Sequence, residues 1–146
     1  AITACENNVV TPALDAIIEA TVYLSGVGAD NVNCAAPHSF YNGVTSLGGH
    51  EAYHGNCVAF GTLIQLTLEC ADKAEFEDIQ NFCLEVGLPI TLAELGDFTD
   101  EDLHTIAKNA CVKGETIHNL AGDVTPDELY AAIIATDALG KARLGK

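Results

Sequence analysis

An all-α helical bundle is the fold class the sequence predicts, and three observations carry it. Apolar residues recur at helical spacing in segment after segment, capping residues stand at the head of those segments, and the alternation of half-buried strands is nearly absent. At 146 residues and 49% apolar content, the chain suits one domain with a substantial core. The expected organisation is a single helical metal-binding domain over 1–146. It is expected to be incomplete at its N-terminal side, because methionine is absent and Ala1 opens within helix-competent sequence.

The first helix starts at Thr11-Pro12, an N-cap followed by proline where its missing N–H costs nothing. Leu14, Ile17, Ile18 and Leu24 keep helical spacing with Thr21 on the same face, up to Gly26-Val27-Gly28, which reads as a terminator. A dinucleotide-loop reading of those glycines fails: a helix rather than a strand precedes them, and Asn31 stands where the third glycine belongs. No nucleotide-binding domain is therefore expected in this chain. Residues 56–70 are apolar nearly all round, the pattern of a helix enclosed by others, and are expected to be the central helix.

Phe76, Ile79, Cys83 and Val86 make the next apolar stripe, closed by Gly87 with Pro89 beyond it. Thr99 heads a helix with acids in its first turn, apolar residues at 103, 106, 107, 110 and 111, and Lys108 and Lys113 near its negative end. Thr125-Pro126-Asp127-Glu128 is a capping box opening the last helix, which runs toward Gly140 with Lys141, Arg143 and Lys146 at its end.

A formal charge of −15 argues against nucleic acid and anionic membranes as partners. Neither an apolar run of spanning length nor a basic leader occurs, so a cytoplasmic address is expected. The six cysteines are widely spaced within apolar helical stretches, and read as reduced, buried thiols rather than three disulfides.

Chemistry concentrates in the histidines. His38 in Ala36-Pro37-His38-Ser39 and His54 in Tyr53-His54-Gly55 form two-thirds of a three-ligand metal site, with the third ligand expected outside this chain. His50-Glu51-Ala52-Tyr53-His54 also matches the His-Glu-x-x-His pattern of zinc metalloproteases, a minor alternative. That chemistry needs both histidines on one stable helix, whereas Gly48-Gly49 precede the motif and Gly55 follows it. His104 suggests no partner.

Several longer motifs occur in order: Tyr23-Leu24-Ser25-Gly26-Val27-Gly28, His54-Gly55, Val58-Ala59-Phe60-Gly61-Thr62-Leu63, Gly87-Leu88-Pro89-Ile90-Thr91-Leu92 and Gly114-Glu115-Thr116-Ile117-His118-Asn119. Together they closely resemble the glycerol dehydrogenase family of iron-containing alcohol dehydrogenases, over essentially the whole chain. The resemblance implies an enzyme with an N-terminal α/β domain for NAD and a helical C-terminal domain, of which this chain is the larger part. It implies zinc or iron held by an aspartate absent here and by His38 and His54, with no catalytic residue beyond the metal ligands. It further implies a reaction that oxidises glycerol, or a similar small polyol, to dihydroxyacetone, inactive without the missing α/β half. A homo-oligomer is a further possible assembly.

The chain departs from the family where Ala29-Asp30-Asn31-Val32-Asn33-Cys34-Ala35-Ala36-Pro37 replaces the usual Phe-Glu-Ser-Gly-Gly-Leu-Ala-Ala-Ala before the first ligand. Pro37 is expected to kink or shorten that ligand's helix. Tyr41 stands where relatives carry a second histidine near the cofactor, so it is the candidate cofactor contact. The competing class is a non-catalytic remnant or interaction module.

Overall fold

The computed structural model describes residues 1–49 and 52–145, without the Val32 side chain. All regular elements among them are helical, as predicted. Expected as one domain, the chain divides into two compact units, Ala1–Asn33 and Cys34–Lys146.

In the first unit, α1 (Ile2–Glu6) precedes α2 (Pro12–Glu19), a π-helical turn over Ala20–Leu24 and α3 (Ser25–Val32). Thr11 caps α2 as expected, its hydroxyl accepting the Leu14 N–H at 3.3 Å. The predicted stop at Gly26-Val27-Gly28 is corrected: both glycines lie inside α3, and the helix ends at Asn33 with φ +67°. A glycine ends a helix when the backbone turns left-handed, and neither of these does. The π turn adds a residue to the helical ring and so rotates the face that follows it. Ile17, Ile18, Val22, Tyr23 and Leu24 are all exposed, so the predicted stripe forms no core within this unit.

The second unit holds α4 (Ala36–Thr45), α5 (His54–Leu68), α6 (Lys73–Val86), α7 (Asp100–Ala110) and α8 (Pro126–Arg143), with 3-10 turns at Leu92–Glu94 and Thr116–Asn119. The central-helix prediction holds. α5 packs against α4, α6 and α8, and Cys57, Phe60, Gly61, Leu63 and Ile64 are buried along it. It starts at His54, two residues before the predicted start. Phe40, Val44, Phe60, Ile64, Ile106, Ile117, Leu129 and Ile133 form the main core.

Pro37 neither kinks nor shortens α4. It occupies the first turn, where a proline forfeits no helical hydrogen bond, and packs on Gly61 of α5. A Cβ on Gly61 would lie 2.7 Å from the Pro37 Cα, so the two backbones approach as only glycine allows. Gly43 makes the equivalent approach to α7, a Cβ there falling 2.5 Å from the Ile106 carbonyl oxygen.

α6 ends as predicted. Gly87 is left-handed at φ +76°, and Leu88 N–H donates to the Cys83 carbonyl at 2.8 Å in a Schellman motif. Val86, expected in the apolar stripe, is exposed, while Cys83 is buried. The predicted caps form, each as a capping box, Thr99 with Asp102 and Thr125 with Glu128, and a third box joins Thr91 and Glu94. Helix α8 runs past Gly140 through Arg143, with Lys141 and Arg143 in its last turn as expected. Gly140 serves packing, because a Cβ would collide with the backbone of Ile90. That segment is also tied to α8 by the Leu92 N–H donating to Asp137 at 2.8 Å.

Candidate metal centre

His38 stands in the first turn of α4 and His54 is the first residue of α5. The crossing of these helices at Pro37 and Gly61 brings the two imidazoles together, with ring centroids 5.3 Å apart. Tyr41, one turn beyond His38 on the same face of α4, sets its ring edge-on to His54 at 4.4 Å. Partial burial lowers the His38 pKa below its ordinary value, and the neighbouring His54 lowers it further. Both causes favour the neutral imidazole, the form that ligates a metal.

The donor set fits the zinc or iron that the motif implies, but only in part. The two imidazoles, presented by helices, would supply two of the three protein ligands such a metal needs, and among the described residues no group of three or more His, Cys, Asp or Glu is placed to hold a metal. His50 and Glu51 of the metalloprotease pattern lie outside the described residues. Tyr53 is extended and the helix begins only at His54, which interrupts the continuous helix that pattern requires.

Several groups that sequence reasoning missed hold the His38 turn. The segment following α7 folds against it: Thr116 donates to the Ala35 carbonyl at 2.9 Å, Asn119 to the Cys34 carbonyl at 2.7 Å, and Asn42 to Glu115 at 2.9 Å. Buried Ser39 accepts the Ile117 N–H at 2.6 Å. The Gly114–Asn119 motif was legible as a motif, yet its partners lie more than seventy positions away, beyond what local spacing reveals. His118 from the same motif is exposed and donates to the Val112 carbonyl at 3.2 Å, in the turn that follows α7. His104 has partners after all: it stacks on Tyr130 at 4.0 Å, and both reach Asp100.

Among the described residues no disulfide forms. Cys57 and Cys83 are buried as predicted, and burial raises both thiol pKa values, whereas Cys5 and Cys70 are exposed and correct that expectation. No described helix is long and apolar enough to cross a membrane.

No family model matches the chain. It is 47% identical to the glycerol dehydrogenase of Pseudomonas putida, over 97% of its own length and 40% of that protein's. It is 42% identical to a glycolaldehyde reductase of Halobacterium salinarum, over 97% of the chain and 40% of the relative. A crystal structure of a probable glycerol dehydrogenase from Sinorhizobium meliloti superposes with a TM-score of 0.88 at 40% identity, covering 96% of this chain and 40% of that one. The chain is homologous to the C-terminal part of glycerol dehydrogenases. It spans about 40% of the length of these glycerol dehydrogenase relatives. Its all-helical architecture is the one that this portion of the family adopts.

Proposed function

We propose that this chain is the metal-holding helical part of an NAD-dependent oxidoreductase that converts glycerol to dihydroxyacetone. The observation that carries the reading is the His38–His54 pair: two imidazoles 5.3 Å apart, presented by helices whose crossing is fixed by Pro37 on Gly61, in a chain 47% identical to a glycerol dehydrogenase. His38 and His54 would hold zinc or iron, which when bound supplies a Lewis acid for an alcohol oxygen. Imidazole and carboxylate suit either metal.

The chain's own residues do the rest of the positioning. α4 and α5 deliver the two imidazoles from rigid elements, and the partial burial of His38 keeps it neutral and ready to bind. Tyr41, against His54, occupies the family's second-histidine position, where its phenol can donate a hydrogen bond toward substrate or cofactor. With a phenol in place of an imidazole at that position, a changed proton path follows. The third ligand and the NAD site belong to an α/β part, and the chain alone is expected to be inactive toward glycerol.

Zinc titration by calorimetry on the 146-residue chain, with His54→Ala beside it, tests the reading. Binding that is weak yet lost in His54→Ala fits a site needing one more ligand. Binding indifferent to that substitution refutes the assignment, and glycerol oxidation by the chain alone refutes the split site. A second reading, an interaction module, is favoured by the exposed apolar residues Ile17, Ile18, Val22, Tyr23 and Leu24.

A further inference from the structure

α4 begins without a side-chain cap: Ala35 precedes it and offers none. The first turn carries His38, so its position needs another source of rigidity. A relay of hydroxyls from the distant 3-10 turn provides it. The Ile117 N–H donates to Ser39 Oγ at 2.6 Å, and the Thr116 hydroxyl donates to the Ala35 carbonyl at 2.9 Å. With those directions fixed, the Ser39 hydroxyl is the donor in its 3.0 Å bond to Thr116 Oγ1. Every proton in the chain is used once, and Ser39 is fully buried. Asn119 adds a second hook on the Cys34 carbonyl, one residue upstream.

We propose that Ser39 and Thr116 are positioning residues for His38, a hydroxyl clasp that ties the first turn of α4 to the distant 3-10 turn and fixes the imidazole opposite His54. The inference rests on the metal-holding reading of the histidine pair for its functional meaning, while the positional claim stands on the bonds themselves. Hydrogen-bond partners of a metal's ligands commonly change its affinity roughly 10–100-fold when lost, and the clasp acts one step further out, on the backbone of the ligand's turn, so an effect at the lower end of that range is expected. Pro37 on Gly61 sets where the two helices cross, and the clasp sets how the first turn of α4 is held.

Thr116→Val tests this, with Thr136→Val as the matched control. Thr136 is also buried and shares a 2.9 Å hydroxyl pair, with Thr67 on α5 rather than at the α4 terminus. Two readouts are taken on the whole chain: affinity for zinc alone, and the nuclear Overhauser contact between the His38 and His54 rings without metal. Thr116→Val is expected to weaken zinc roughly tenfold and to lose the ring contact, Thr116→Ser to restore both, and Thr136→Val to keep both at a comparable loss of thermal stability. Wild-type affinity and an intact ring contact in Thr116→Val overturn the proposal, as does an equal loss of both in Thr136→Val. If the unaltered chain binds no zinc, the metal-holding reading falls. The ring contact then decides the clasp alone: loss confined to Thr116→Val supports it, and retention overturns it.

Discussion

Gly61→Ala puts the α4–α5 crossing under direct strain. The added methyl would sit 2.7 Å from the Pro37 Cα and 3.0 Å from its carbonyl oxygen, against about 3.4 Å for ordinary contact, so the backbones must part by roughly 0.7 Å. Neither obstacle is a flexible side chain that could swing away. Overpacking of this kind costs roughly 1–3 kcal/mol. Alanine in a helix interior returns up to about 1 kcal/mol over glycine. A net loss of up to about 2 kcal/mol against wild type follows, which in a chain of this size lowers the melting temperature by up to roughly 8 °C, and the gap to an unstrained glycine-to-alanine change is the full overpacking cost of roughly 1–3 kcal/mol. Gly55→Ala, on the same helix with nothing within 4 Å, is the control and is expected to match or exceed wild-type stability. Urea unfolding followed by circular dichroism measures both, and zinc titration measures the second effect, since moving Pro37 moves His38 beside it. A Gly61→Ala chain as stable as Gly55→Ala would refute the close approach. A stability loss with unchanged zinc affinity would refute the link between the crossing and the ligand.

Gly140→Ala should cost more than Gly61→Ala in the same assay, because its methyl runs into the Ile90 backbone, which the Leu92–Asp137 bond ties to α8. Thr99→Ala should lower unfolding free energy by about 1 kcal/mol through loss of the α7 cap. The Glu128 pKa is held below its ordinary value, first by the Thr125 backbone N–H and then by the Thr125 hydroxyl. Such a group stabilises the fold above its unfolded pKa and loses that contribution as pH falls through the folded one. Glu128→Gln should therefore flatten the stability decline between about pH 5 and pH 3, read by urea midpoints, whereas Thr125→Ala, which keeps the backbone N–H, should flatten it only in part. With a thiol-reactive chromophore, Cys5 and Cys70 should react promptly in the native chain, and Cys57 and Cys83 only on unfolding.

Where a signal was local, the sequence carried it. Thr99 and Thr125 read correctly as caps because a capping box closes within four residues, and Gly87 as a stop because its left-handed turn is followed at once by Pro89. The same local logic misread Gly26 and Gly28, because a glycine ends a helix only where the backbone turns left-handed and that turn comes at Asn33 instead, while the packing purpose of Gly140 is disclosed only by the neighbouring backbone of Ile90. Pro37 misled for a like reason, being harmless in a first turn whose start the sequence did not mark. Of the candidate centre, His38 and His54 were legible through motif and spacing, and Tyr41 proved to lie with them. Ser39 and Thr116 were invisible because a hydroxyl has no signature until its partner, 77 residues away, is folded beside it.

That separation also orders events in time. The two imidazoles are only sixteen positions apart and leave the ribosome almost together. The residues that hold the first of them in place are made some sixty residues after the second. Bonds spanning 77 to 85 positions need about three quarters of the second unit to be synthesised before they close. A growing chain thus carries both histidines well before the bonds from the 3-10 turn can hold the first of them in register with the second.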